Sequence, residues 1–281
     1  MKVLVTGSSG QLGYDVVRVL EERGFDVLAP RRAEMDITDR ESVDSYFYEH
    51  LPNAVIHCAA YTAVDAAEDE IELCRAVNVG GTENIADNCS KYDIPMVYIS
   101  TDYVFNGSGD ELWKVTDGTD PINAYGLSKR DGESIVLRLA KHFIVRASWV
   151  FGVHGKNFAA TMLRLSQTRD TVRVVDDQYG SPTYTADLAE LLADMVVTDR
   201  YGTYHAHNES ICTWADFAEE IFRQSGLPTK VERITTAEYP LKARRPLNSR
   251  MDTSSLTDAG FNLLPDWKDA LSRYLDAVKC S

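Results

Sequence analysis

Lys2-Val-Leu-Val-Thr-Gly7-Ser-Ser-Gly10-Gln11-Leu12-Gly13 opens the chain, and the fold class turns on how it is read. A β-rich run leads straight into glycines. Leu12, Val16, Val19 and Leu20 then recur at the spacing of one helix face, as far as Arg23-Gly24. Strand, glycine turn and helix N-terminus in that order make an anion site from backbone N–H groups and the helix dipole. Glycines serve where the chain turns tightly, where backbone meets phosphate and where helix packs on strand. The spacing is Gly-x-x-Gly-x-x-Gly rather than Gly-x-Gly-x-x-Gly, and a lone triplet is weak evidence. Placed between a strand and an amphipathic helix, it points to nucleotide binding in a parallel α/β sheet.

The next strand, Phe25 to Ala29, should end beside an adenosine ribose. An acid there would suit a free 2′-hydroxyl. The chain instead reads Ala29-Pro30-Arg31-Arg32, and a guanidinium fork suits a 2′-phosphate. This favours NADPH and leaves NADH as an option; the bland alternative is a solvated basic loop. Asp36-Ile37-Thr38-Asp39 reads as a turn and cap before a helix through about His50. Val55 to Ala60 is a buried strand ending in small residues, against which a flat cofactor can lie. His57 within it reads as a satisfied core histidine. Asp65 and Glu68 open a helical pattern, and capping and substrate contact are equal readings of them.

A long helix carrying Asn78 should run to about Ser90, followed by a strand, Pro95 to Ser100. In an open parallel sheet, chemistry belongs at the carboxyl ends of strands, and Thr101 stands there with a hydroxyl fit to orient a carbonyl oxygen. Residues 106–120 read as a mobile surface flap. Beyond it, Tyr125 and Lys129 stand four apart and share a helix face. A phenol ionises at about pH 10, and a fixed ammonium beside it would draw that value toward the working range. A fifth strand, Phe143 to Arg146, leads to Ser148-Trp149.

Composition excludes several classes. A net charge of −14 argues against nucleic acid or anionic membrane as the main partner, so an anionic ligand must be held by local donors. No leader or membrane-length apolar run is legible, and Cys58, Cys74, Cys89, Cys212 and Cys280 lack metal-type spacing. They read as reduced thiols of a cytoplasmic protein.

Together the glycine turn, Thr101 and Tyr125-x-x-x-Lys129 resemble the extended short-chain dehydrogenase/reductases. Thr62-Ala-Val-Asp65-x-x-Glu68, Ser100-Thr-Asp-Tyr-Val-Phe105, Asn157-Phe158, Asp177-Gln178-x-Gly180-Ser-Pro-Thr183 and Arg245-Pro-x-Asn-Ser-Arg250 narrow the resemblance. Over nearly the whole chain it is similar to the dTDP-4-dehydrorhamnose reductase family. The resemblance implies Thr101, Tyr125 and Lys129 as the catalytic set, with Tyr125 and Lys129 also on the nicotinamide ribose. It implies Gly7, Gly10, Gln11, Leu12, Gly13, Asp36, Ile37, Ala59, Ala60, Tyr61 and Thr62 around the dinucleotide. Thr101, Asp102 and Trp149 would face the sugar of a nucleotide-sugar substrate. Asp15 stands where some members carry a Glu in a magnesium-linked dimer contact, so no metal is expected, and the assembly is a monomer or homodimer. Asn106 and Trp113 depart from the family's flap pattern, which suggests a different lid.

The expected architecture is a Rossmann-type doubly wound parallel sheet with a smaller C-terminal substrate-binding lobe. Residues 1–150, completed by about 184–206, would form the core, and 151–183 with 207–281 the lobe. In the lobe, Phe158, Met162 and Leu165 mark a helix, Val172 to Val175 a strand, and Trp267, Leu271, Tyr274 and Val278 the stripe of a last helix. Thr213 and Asp216 read as a helix cap. The implied activity is NAD(P)H-dependent reduction of a 4-keto-6-deoxyhexose. One rival, a dehydratase or epimerase, needs an acid–base pair after the threonine, where the chain has Tyr103. The other, a non-catalytic regulatory relative, is opposed by the intact set of three.

Overall fold

The computed structural model describes residues 1–279; Cys280 and Ser281, the former read above as a thiol and both placed in the lobe, lie outside the described residues. In chain order the first half runs β1 Lys2–Thr6, α1 Gln11–Glu22, β2 Asp26–Leu28, α2 Arg40–His50, β3 Ala54–His57, α3 Ile71–Arg75, α4 Thr82–Lys91, β4 Met96–Thr101, α5 Ala124–Val136 and β5 His142–Ala147. Then come β6 Val150–Phe151, α6 Phe158–Ser166, β7 Thr171–Val175, β8 Tyr179–Gly180, β9 Thr183–Tyr184, α7 Thr185–Met195 and β10 Gly202–His205. Six strands form one parallel sheet in the order β10-β5-β4-β3-β1-β2. The order reverses between β1 and β3, which opens a crevice at their carboxyl ends.

Strand periodicity divides the core. Val3 and Val5 pack on one face with Val16, Leu188 and Leu192, while Leu4 goes to the other with Val55, Ile85, Met96 and Ile144. Each such fully buried side chain contributes about 1.5–3 kcal/mol relative to exposure. α7 packs against α1, and β10 joins the sheet beside β5. Asp15 joins the same two helices: its carboxylate accepts the Thr185 hydroxyl at 2.5 Å.

A separate apolar cluster gathers Phe151, Phe217, Trp267, Leu271 and Tyr274 from later elements. There β7 pairs in parallel with the strand Lys230–Ile234, and Thr213 and Asp216 form a reciprocal capping box on the helix Trp214–Gln224. Among the described residues, no helix is long and apolar enough to cross a membrane.

Two expectations need correction. The long helix is interrupted, since Ala76–Gly81 adopts wide π-type turns between α3 and α4. Asn78 lies inside them; its Oδ1 accepts the Tyr61 N–H at 2.8 Å and its Nδ2 donates to the Tyr61 carbonyl at 3.1 Å. The segment read as a mobile flap is pinned instead. Trp113 stacks on Phe105 with centroids 4.6 Å apart and donates through Nε1 to the Asn248 carbonyl at 3.1 Å.

Candidate active site

The glycine turn after β1 is built for backbone contact. Gly7 has φ +66°, and a Cβ there would stand 2.7 Å from the Ala59 nitrogen; one on Gly13 would stand 2.1 Å from the Gly7 carbonyl oxygen. Gly10 precedes α1 without a side-chain cap, so the first N–H groups of the helix face the crevice uncommitted to a side chain. Thr6 fixes the crevice floor: its Oγ1 accepts the Ala59 N–H at 3.1 Å and meets His57 Nδ1 at 2.7 Å. His57 is the core histidine expected, with burial holding its pKa down to about 3.

A cavity of about 280 Å³ opens here, lined by Gly7, Gly10, Arg32, Asp36, Ala59 and Ala60, with Ile37 alongside. Glycine backbone, a helix N-terminus and a guanidinium at its rim fit a dinucleotide with a 2′-phosphate. Arg32 reaches this rim, its Nε 3.0 Å from Asp36 Oδ2, whereas Arg31 is exposed and is not among the residues lining the cavity. Leu12 is turned into the core, and the Gln11 amide spans to the Val150 carbonyl at 3.1 Å, so both can meet a cofactor only through backbone. Tyr61 and Thr62 stand outside the lining; the Tyr61 hydroxyl donates to Glu70 at 2.8 Å. Thr38, Cys58 and Val77 line the cavity and were not singled out for it in the sequence.

Thr101 ends β4 and Tyr125 begins α5, so strand and helix deliver the two hydroxyls to one place. Asn123 caps α5 by accepting the Gly126 N–H at 2.7 Å. Glu68 adds a second acceptor, taking the Ala124 N–H at 2.8 Å, so it serves this helix and not its own turn. Asp65 caps nothing either: it pairs with Arg245 at 2.6 Å. Thr101 donates to Asp102 Oδ1 at 2.9 Å, and its hydroxyl lies near enough to Tyr125 to oppose the rise of the phenol's pKa. Burial lifts Asp102 to about 6, against the hydrogen bonds it accepts from Ser249 and Thr101.

Burial, and then the Asp102 charge, raise the Tyr125 pKa above its ordinary value. This corrects the expectation that Lys129 lowers it. Lys129 is buried one turn on, but its ammonium is turned over the Tyr98 ring at 4.1 Å. Burial pushes Lys129 down to about 7, opposed chiefly by the Glu133 carboxylate. Glu133 is itself held by Arg146 through two 2.8 Å bonds and by Ser100 at 2.5 Å.

Trp149 follows β5 with φ +49°, a conformation rare for a bulky residue. Its indole stacks on Trp214, with centroids 3.8 Å apart and planes at 14°. Gly180 packs so close to the ring that a Cβ there would stand 2.8 Å from it, so a sugar could use only the part these two leave uncovered. Trp214, Tyr103, Phe158, Gln178 and Arg245 line a second cavity, of about 610 Å³. The sequence reading missed Trp214 and gave Arg245 no role, although Arg245 stands in a run already singled out.

The family model described as RmlD substrate binding domain matches residues 1–280. The chain is 42% identical to the dTDP-4-dehydrorhamnose reductase of Streptomyces griseus, over 98% of this chain and 93% of that one. The chain belongs to the dTDP-4-dehydrorhamnose reductase family. Within reach of it also stands the spore coat polysaccharide biosynthesis protein SpsK of Bacillus subtilis, 41% identical over 98% of this chain and 96% of that one. The family's Bacillus anthracis reductase, solved in complex with NADP, superimposes with a TM-score of 0.96 at 39% identity, covering 98% of this chain and 99% of that one.

Proposed function

We propose that the chain reduces the 4-keto group of dTDP-4-dehydro-L-rhamnose to give dTDP-L-rhamnose, with NADPH as the preferred reductant. The observation that carries this reading is the meeting of Thr101 and Tyr125 at the carboxyl end of the sheet, with Lys129 one turn behind. One cavity has the chemistry of a dinucleotide cradle. The other, bordered by Tyr103 and Arg245, is of a size that suits a nucleoside diphosphate sugar. The division into a cofactor core and a substrate lobe is part of this proposal: Met162, Val172 and Val174 of the separate apolar cluster, with Phe158 and Trp214 packed on it, line the second cavity.

When bound, the dinucleotide supplies the hydride. The chain supplies the proton and the geometry. Tyr125, whose raised pKa keeps the phenol protonated, donates its hydrogen to the carbonyl oxygen. Thr101 orients that oxygen with its hydroxyl. Lys129, deeply placed, holds the ribose hydroxyls rather than acting on the phenol directly. Trp149 offers to the hexose the part of its indole that Trp214 and Gly180 leave uncovered, and Asp102 an acceptor to a sugar hydroxyl. The name carried by the S. griseus relative and the NADP complex of the B. anthracis structure support this reading. Following the oxidation of NADPH and NADH with dTDP-4-dehydro-L-rhamnose tests it: consumption of NADPH in preference to NADH is expected, and none with either contradicts it.

A further inference from the structure

Ser249 lies 147 positions from Asp102 in sequence, yet its Oγ donates to Asp102 Oδ2 at 2.5 Å. Both residues are buried, at 3% and 2% exposure. The hydroxyl sits on a braced segment. Ser249 donates its own N–H to the Tyr179 carbonyl at 2.7 Å, and Asn248 donates to the carbonyls of Gly107 at 3.0 Å and Glu111 at 2.8 Å. The other oxygen of Asp102, Oδ1, accepts from Thr101 at 2.9 Å.

We propose that Ser249 is a positioning residue for the reduction: by holding Oδ2 it presents Oδ1 of Asp102 to Thr101 and to a hydroxyl on the substrate carbon beside the ketone. This rests on the function proposed above and sharpens its substrate class. When the Thr101 hydroxyl turns its hydrogen to the carbonyl oxygen, Oδ1 loses its donor. The backbone N–H groups of Asp102 and Tyr103 remain beside the carboxylate, and a hydroxyl adjacent to the carbonyl is placed to replace the lost side-chain bond. The site therefore selects an α-hydroxy ketone. The 4-keto sugar with a neighbouring hydroxyl belongs to that class.

The contact has a titration signature. Asp102 accepts most strongly when ionised, and the bonds from Thr101 and Ser249 both favour the ionised form. The groups around it are Thr101 from β4, Tyr103 on its own turn and Tyr125 from α5, with Arg245 and Asp65 acting beyond Tyr103. Lys129, lowered to about 7, affects the alkaline limb of activity, not the acid one.

The test compares the pH dependence of kcat/KM for the wild type, Ser249→Ala, Asp102→Asn and the double variant, using dTDP-4-dehydro-L-rhamnose and NADPH, with melting temperature and NADPH Kd measured alongside. Removing one charge-assisted hydrogen bond should move the acid limb of Ser249→Ala up by about one pH unit. NADPH Kd should not change, Asp102→Asn should lack that limb, and the double variant should show no further shift. Superimposed acid limbs for Ser249→Ala and an active wild type, or a loss equal at every pH, would overturn this inference alone. A wild type inert toward that sugar with both nicotinamide cofactors would overturn the functional reading and this inference together.

Discussion

Lys129 Nζ stands 4.1 Å from the centroid of the Tyr98 ring, on the helix that carries Tyr125 one turn earlier. Burial lowers its pKa from the ordinary 10.5 to about 7. Between those values the unfolded chain binds a proton that the folded chain has released, so stability rises with pH across that window. Below it, the buried ammonium costs on the order of a few kcal/mol. Lys129→Met should therefore melt higher than the wild type at about pH 6, with the gain shrinking toward about pH 9, while NADPH affinity and turnover both fall. Thermal unfolding at the two pH values checks this; a Met variant no more stable than wild type in acid would contradict the assignment of a stability cost to this ammonium.

Glu133 acts through two partners. It is the largest influence keeping Lys129 charged, and it neutralises the buried Arg146. Glu133→Gln should cost about 3–5 kcal/mol, because Arg146 is left unpaired. The alkaline limb of activity should also move down in pH, since Lys129 loses its supporting charge. Urea titration and a pH–rate profile read the two effects separately, and an unmoved limb would show that Glu133 serves the sheet alone.

Arg32, not Arg31, reaches the rim of the first cavity. Arg32→Ala should weaken NADPH by about 1.5–3 kcal/mol for each charged hydrogen bond lost and leave NADH almost unchanged. Arg31→Ala should change neither. Equal losses for the two cofactors on replacing Arg32, measured by calorimetry, would mean that it serves only Asp36.

Trp149 has one indole face on Trp214. Trp149→Ala should raise KM for the sugar nucleotide and lower turnover by misplacing the carbonyl, at unchanged NADPH affinity. The lost stacking should cost a further ~0.5–1.5 kcal/mol of stability. A variant that melts far lower yet keeps normal kinetics while folded would assign Trp149 to packing.

The sheet was legible because local signals agreed: Val3 and Val5 alternate with Leu4, the glycines punctuate, and Leu12 to Leu20 keep one face. Tyr125 and Lys129 were legible as a pair because helix spacing is a local property. What that spacing could not give was the direction of the Lys129 ammonium, which is set by burial against Tyr98. The Arg31-Arg32 pair likewise does not say which guanidinium faces the cavity. Asp65 and Glu68 looked like caps because acids at helix starts usually are; their partners, Arg245 and Ala124, come from 180 and 56 positions away. The Ser249–Asp102 contact was invisible for the same reason.

Tyr125 as the proton donor to a 4-keto sugar is the central claim. The most direct measurement mixes dTDP-4-dehydro-L-rhamnose with NADPH carrying deuterium on the nicotinamide, and follows both NADPH consumption and the label in the product for the wild type and Tyr125→Phe. The wild type should place the deuterium on C4 of the rhamnose. Tyr125→Phe should bind NADPH normally and form that product roughly 10²–10⁴ times more slowly. Near-normal turnover by Tyr125→Phe, or NADPH consumption without label on C4, would contradict it.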